Sequence, residues 1–265
     1  MPISLEKFEQ SAPELLSLAK KAKFSLSKYN LDDIQADVAF VLDASGSMNN
    51  QYRNGDVQKI VERVFPLACH FDDDNQMPTW AFANAQQSLS DVSFDNFRDF
   101  VNTDNGGWKQ WMSTLNSSYN NEPVVMRAII KHFFNLDVPV LEKSSSGFLG
   151  FGKKSGNENT LAPTQQKRKP IWILFISDGG VAHNEDIEFI IKWSSTLPIF
   201  WQFVGIGGSN YGALETFDNL QDRFLDNCDF FDVDSISSIP EQELYNKMIQ
   251  EFPSWIKQAQ TKNII

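Results

Sequence analysis

A chain of 265 residues has room for one large domain or two small ones, and its 42% apolar content, with 22 phenylalanines, can close a packed core and excludes wholesale disorder. The formal charge of -11 argues against a nucleic-acid backbone or an anionic membrane as the main partner and favours cations or basic protein faces. Two distant cysteines, Cys69 and Cys228, neither in a CxxC pair, exclude a disulfide framework or a cysteine zinc site and point to a reducing, cytoplasmic compartment.

The start, MPISLEKF, has no basic head followed by an apolar run, so no secretory signal is expected. No stretch approaches the roughly eighteen uninterrupted apolar residues that a membrane span needs. Residues 8–28 predict a helix or two, ending near Asn30, as an N-terminal extension over residues 1–30 ahead of a main domain over 31–265. Residues 37–42 (DVAFVL) are a short apolar run ending at Asp43. Residues 56–69 then carry Val57, Ile60, Val61, Val64 and Leu67 at helical spacing. A second apolar run, 79–83 (TWAFA), precedes a helical pattern over 124–134 with Val125, Ile129, Ile130 and Phe133.

Residues 141–170 are rich in Ser, Gly, Lys and Asn and lack periodicity, which predicts a flexible insertion with Phe148, Leu149 and Phe151 as an apolar tip. The third apolar run, 171–176 (IWILFI), ends at Ser177-Asp178-Gly179-Gly180. A helical stretch over 184–193 leads to the fourth run, 199–206 (IFWQFVGI), which ends at Gly207-Gly208. A fifth run, 230–233, is followed by one long helical pattern over 241–259. Runs this apolar read as strands buried on both faces. Their alternation with helices predicts an α/β fold, with a mostly parallel sheet covered by helices on both sides. Ligands of such sheets bind beyond the carboxyl ends of the strands.

The chemistry concentrates at two strand ends. Asp43-Ala44-Ser45-Gly46-Ser47 places one carboxylate and two hydroxyls at alternate positions after the first run. Hard cations take such small oxygen ligands, so the expected cofactor is Mg²⁺, with Mn²⁺ or Ca²⁺ as alternatives. A helix cap by Ser45 or Ser47 is the competing explanation. Asp178 follows the third run as Asp43 follows the first, and a parallel sheet puts both acids on one edge. Of the three histidines, His183 alone lies near that edge.

Residues 37–48 (DVAFVLDASGSM) and Ser177-Asp178-Gly179-Gly180 resemble the first and third segments of the metal-ion-dependent adhesion site of von Willebrand factor A (VWA) domains. The segments 198–208 (PIFWQFVGIGG), 226–236 (DNCDFFDVDSI) and 243–256 (ELYNKMIQEFPSWI) are similar to the VWA domains of bacterial tellurite-resistance, TerF-like proteins. The resemblance runs from about Leu16 to the C-terminus, the insertion excepted, and implies a Rossmann-like VWA fold. It implies metal ligation by Asp43, Ser45, Ser47 and Asp178, with a Thr from a middle loop. No Thr matches here; the position falls near Tyr119, leaving Asn120 or Ser118 as the replacement.

The implied role is non-enzymatic: a module in tellurite, toxic-anion or stress resistance that binds a partner protein's acidic side chain through the metal. Asp43 and Asp178 just neutralise a divalent ion, so a partner carboxylate is tolerable where a third acid of this chain would repel it. Met48, Trp108 and Trp111 are the expected partner-binding residues, in an apolar rim with Tyr52 and Tyr119. A Mg²⁺-dependent hydrolase or phosphoryl-transfer enzyme and a metal-free VWA scaffold are the alternatives. An aspartyl-phosphate phosphatase would want Asp where Ser45 stands, and neither GxxxxGK[ST] nor GxSxG occurs.

Overall fold

The computed structural model describes residues 3–72, 74, 76–141, 161–162, 168–207, 211–233 and 235–265. Most of the insertion, with Phe148, Leu149 and Phe151, and also Gly208, lies outside the described residues. The chain opens with helices α1 (Leu5–Ser11) and α2 (Leu16–Lys28), then strand β1 (Asp37–Asp43). Helices α3 (Asn49–Arg53) and α4 (Asp56–Phe71) lead to β2 (Thr79–Phe82) and β3 (Gln86–Ser88). Three helices follow, α5 (Phe100–Thr103), α6 (Trp108–Thr114) and α7 (Glu122–Phe134). The second half alternates β4 (Ile171–Ser177), α8 (Asn184–Ser194), β5 (Ile199–Ile206), α9 (Leu214–Phe217) and β6 (Cys228–Val233). Helices α10 (Glu241–Ile249) and α11 (Phe252–Thr261) end it.

The strands form one sheet in the order β3-β2-β1-β4-β5-β6. All neighbours run parallel except β3, which pairs antiparallel with β2 on the edge. Every residue of β4 and β5 is buried, as expected for strands covered on both faces. Alternate residues of β1 serve the two layers. Val38, Phe40 and Leu42 join the core that contains residues of α1, α2, α4, α10 and α11. Ala39 and Val41 join the core built with α7, α8 and α9. Aromatic pairs pin the first layer: Phe252 of α11 stacks on Trp172 of β4 at 5.5 Å, and Phe71 of α4 meets Trp172 edge-on at 5.4 Å. Each such side chain contributes about 1.5–3 kcal/mol by leaving water.

Two elements differ from the expectation, the C-terminal helical stretch and the edge strand. The stretch 241–259 is two helices, because Pro253, in the first turn of α11, has no N–H to continue an incoming ladder. The N-terminal region is two helices, within the expected one or two, divided at Pro13, which opens a short 3₁₀ turn between α1 and α2. These helices share the main core: Phe8, Ala19, Ala22 and Leu26 are buried in it. Lys21 pairs with Glu241 of α10 at 3.0 Å, and Ser25 Oγ donates to Asn246 Oδ1 at 3.2 Å. Edge strand β3 carries no apolar run and was invisible to a hydrophobicity pattern. Among the described residues, no helix is long and apolar enough to cross a membrane.

Candidate metal centre

The sheet order reverses between β1 and β4: from β1 the chain proceeds outward through β2, and from β4 it proceeds the other way through β5. Crevices of α/β sheets open at such switch points, beyond the carboxyl ends of the strands. Leu42 pairs with Ile176, so Asp43 and Ser177 come next on adjacent strands. Asp43 is fully buried. Its Oδ1 accepts from the Ser45 amide at 2.7 Å, and its Oδ2 accepts from Ser177 Oγ at 2.7 Å and Asn120 Nδ2 at 3.4 Å. Burial raises the Asp43 pKa to about 6, opposed by the donors from Ser177 and Ser45 and helped by the charge of Asp178.

The hydroxyls stand as the spacing predicts. Ser45 Oγ and Ser47 Oγ lie 2.9 Å apart, and Ser47 Oγ donates to Asp178 Oδ1 at 2.8 Å. Asp178 is raised from the usual carboxylate range by burial, with the Ser47 donation opposing. Gly179 and Gly180 have φ of 98° and 75°, values that L side chains rarely adopt, and they turn the chain away after Asp178. The Gly179 amide donates to Ser177 Oγ at 3.1 Å.

A third segment, the loop between α6 and α7, closes over these two. The Gly46 amide donates to Ser117 O at 2.7 Å, and a Cβ on Gly46 would stand 3.2 Å from that oxygen, tight enough to favour glycine. Asn120 is buried, and its Nδ2 donates to Gly179 O at 3.1 Å as well as to Asp43. Its Oδ1 is buried without a hydrogen-bond partner. Of the two candidates for the missing Thr, Asn120 reaches Asp43 and Gly179, whereas Ser118 is exposed. Two contacts brace the arrangement from outside. Tyr52 OH donates to Asp43 O at 2.8 Å, and Arg127 of α7 grips Asp186 of α8 through two bonds of 2.8 and 2.6 Å.

Asp43, Ser45, Ser47, Asp178 and Asn120 are thus brought together. Among the described residues, no group of three or more His, Cys, Asp or Glu could hold a metal ion. A cation here would depend on hydroxyl and amide oxygens beside the two carboxylates. The orphaned Asn120 Oδ1 fits that need, because a buried acceptor without a partner calls for a water or an ion. His183 is exposed at the start of α8.

The expected apolar rim is a correction. Met48, Trp108 and Trp111 are buried, at 0, 8 and 0% exposure. Trp108, Trp111 and Met112 occupy one face of α6 at helical spacing and turn into the core. Trp108 stacks on Tyr52, centroids 5.3 Å apart, and Trp111 Nε1 donates to Asp104 O at 2.8 Å. These side chains support the tyrosine that holds the Asp43 carbonyl and are not free to face a partner. Of the proposed rim, Tyr119 alone is exposed, at 65%.

Sequence reasoning also missed Glu122. It begins α7 and reads as an exposed acid favoured by a helix N-terminus. It is instead 1% exposed, and neither carboxylate oxygen has a partner. Burial raises its pKa to about 8, with the charge of Asp43 adding to the rise. The legible signal was its place two residues after Asn120 and before Pro123.

The chain is 34% identical over 252 residues to the Bacillus subtilis protein named "Uncharacterized protein YcbR", covering 93% of this chain and 88% of that one. Among solved structures it is similar to proximal thread matrix protein 1 from the mussel byssus, with 17% identity and a TM-score of 0.46. That match covers 82% of this chain and spans about half, 48%, of the other. The family model described as "vWA found in TerF C terminus" matches residues 35–142 and 158–265, on either side of the insertion. With that match across both halves of the sheet, the chain belongs to the vWA-TerF-like family.

Proposed function

We propose that this VWA module holds a divalent cation, Mg²⁺ first, at Asp43, Ser45, Ser47, Asp178 and Asn120, and uses it to bind an acidic side chain of a partner protein. The buried, unpartnered Oδ1 of Asn120 carries the reading. It lies on a side chain that already touches Asp43 and the Asp178–Gly180 turn, so one more electropositive group there would satisfy it. Asp43 and Asp178 supply two negative charges against a divalent ion. When bound, the cation would supply Lewis acidity for recognition. Ser47 is the exposed member of the set, which supports access for a partner from its side.

The TerF relationship supports a place in bacterial tellurite, toxic-anion or stress resistance, in the cytoplasm and without enzymatic turnover. Isothermal calorimetry with Mg²⁺ and Mn²⁺ tests the reading. One site is expected on the wild type and none on Asp43→Ala that remains folded. Equal binding by both proteins, or by neither, would overturn it.

A further inference from the structure

Glu122 presents two buried carboxyl oxygens without a hydrogen-bond partner, a costly arrangement that calls for a physical occupant. It sits two residues from Asn120, whose own Oδ1 is also orphaned. Both residues are buried, whereas Ser47 is exposed. The backbone between them is fixed: Asn121 N donates to Ala83 O at 3.0 Å, and Pro123 follows in the first turn of α7.

The carboxylates do not form a three-acid metal cluster among the described residues, which argues against direct ligation by Glu122. Mg²⁺ keeps several of its waters when it binds protein. Such waters are strong donors, and orphaned acceptors behind a metal site are where they would be received. Resting on the cation reading above, in which Asn120 Oδ1 is a ligand, we infer that Glu122 is a positioning residue of the centre: its carboxyl group accepts a hydrogen bond from water held on the cation.

Calorimetric titration of the full chain with Mg²⁺ tests this, using wild type, Glu122→Leu, Glu122→Gln and Asp43→Ala. Outer-shell partners typically contribute about 10–100-fold in metal affinity. Glu122→Leu is expected to fall in that range, and Glu122→Gln, which keeps one acceptor, to lose less. A folded Glu122→Leu protein that loses under fivefold overturns the inference; its thermal midpoint can move either way without bearing on the result, since a purely structural role shifts stability and not affinity. If Glu122→Leu does not fold, ¹³C NMR of wild type labelled at the Glu side-chain carboxyl decides. The Glu122 resonance, assigned through Glu122→Gln, is expected to move on adding Mg²⁺, and no movement overturns the inference. Binding lost in Asp43→Ala but intact in Glu122→Leu removes only this role. Absence of Mg²⁺ binding in the wild type removes the cation reading itself.

Discussion

Ser47 Oγ donates to Asp178 Oδ1 at 2.8 Å across 131 positions of sequence, and this one bond joins the loop after β1 to the turn after β4. Both groups belong to the proposed ligand set, but they differ in charge. Asp178→Ala removes one of two negative charges and should weaken Mg²⁺ binding at least a hundredfold. Ser47→Ala removes a neutral oxygen and should cost about tenfold. Each is near the surface, so metal-free stability should change by no more than about 1 kcal/mol. Calorimetry paired with urea unfolding in chelator checks both. Equal affinity losses for the two variants would remove the charge argument.

Stability of the metal-free chain should fall as pH rises. Burial lifts Asp43 and Asp229 from 3.8 to about 6, and Glu122 from 4.5 to about 8. The folded state therefore binds protons more tightly than the unfolded one. That stabilisation is complete below the unfolded pKa values and is lost as pH climbs through the folded ones. Each group costs about 1.4 kcal/mol per pH unit across its own window. Asp43 and Asp229 act between about pH 4 and 6, and of these three groups Glu122 alone continues to about 8; His70, lowered from 6.5 by burial, acts in the opposite direction below that value, so the decline from pH 7 to 8 reports on Glu122. Urea midpoints in EDTA at pH 5, 6, 7 and 8 should decline in the wild type, and Glu122→Gln should flatten between pH 7 and 8. Saturating Mg²⁺ should reverse the trend, because it binds only the folded, ionised site. A wild-type midpoint in EDTA that stays level from pH 7 to 8 would show Glu122 to be solvated.

Asn120 and Ser118 can be separated by single substitutions. Asn120 bridges Asp43 and Gly179 from a buried position, whereas Ser118 is exposed. Asn120→Ala should lower Mg²⁺ affinity about tenfold or more and destabilise the metal-free chain by about 1–3 kcal/mol through loss of its buried hydrogen bonds to Gly179 O and Asp43. Ser118→Ala should change neither. Asn120→Thr should restore much of the affinity if the hydroxyl reaches the position of Oδ1. The opposite ranking, with Ser118→Ala the weaker binder, would move the ligand.

The sheet was legible because its three longest strands, β1, β4 and β5, are apolar runs bounded by Asp, Ser or Gly, and Asp43 and Asp178 were legible because each follows such a run. β3 was not, since three residues of Gln-Gln-Ser carry no burial signal. Glu122 was hidden because an acid at a helix start is usually solvated, and its burial is a tertiary event that local sequence does not signal. Met48, Trp108 and Trp111 were misplaced because aromatic residues near a site look alike in sequence whether they face it or hold it up. The spacing of Trp108, Trp111 and Met112 on one helical face was the available clue.

That correction leads to a prediction about the partner surface. Trp111 is fully buried, with Phe100 and Tyr52 as ring neighbours. Trp111→Ala should therefore cost about 3–5 kcal/mol of stability. Any loss of partner binding in that variant would follow the loss of folded protein. Tyr119 is different. It is 65% exposed and adjoins Asn120, so it offers apolar area beside the proposed cation without supporting the core. Tyr119→Ala should keep the thermal midpoint within about 1 °C, keep Mg²⁺ affinity within twofold, and still weaken a metal-dependent partner. The measurement is a pull-down from the native host with wild type in Mg²⁺, wild type in EDTA, Asp43→Ala and Tyr119→Ala. A protein retained by the first and lost from the other three would place the contact at this edge. Retention by Tyr119→Ala alone would confine recognition to the cation. Retention under all four conditions would mean that the fold serves as a scaffold and that its strand-end acids do not recognise the partner.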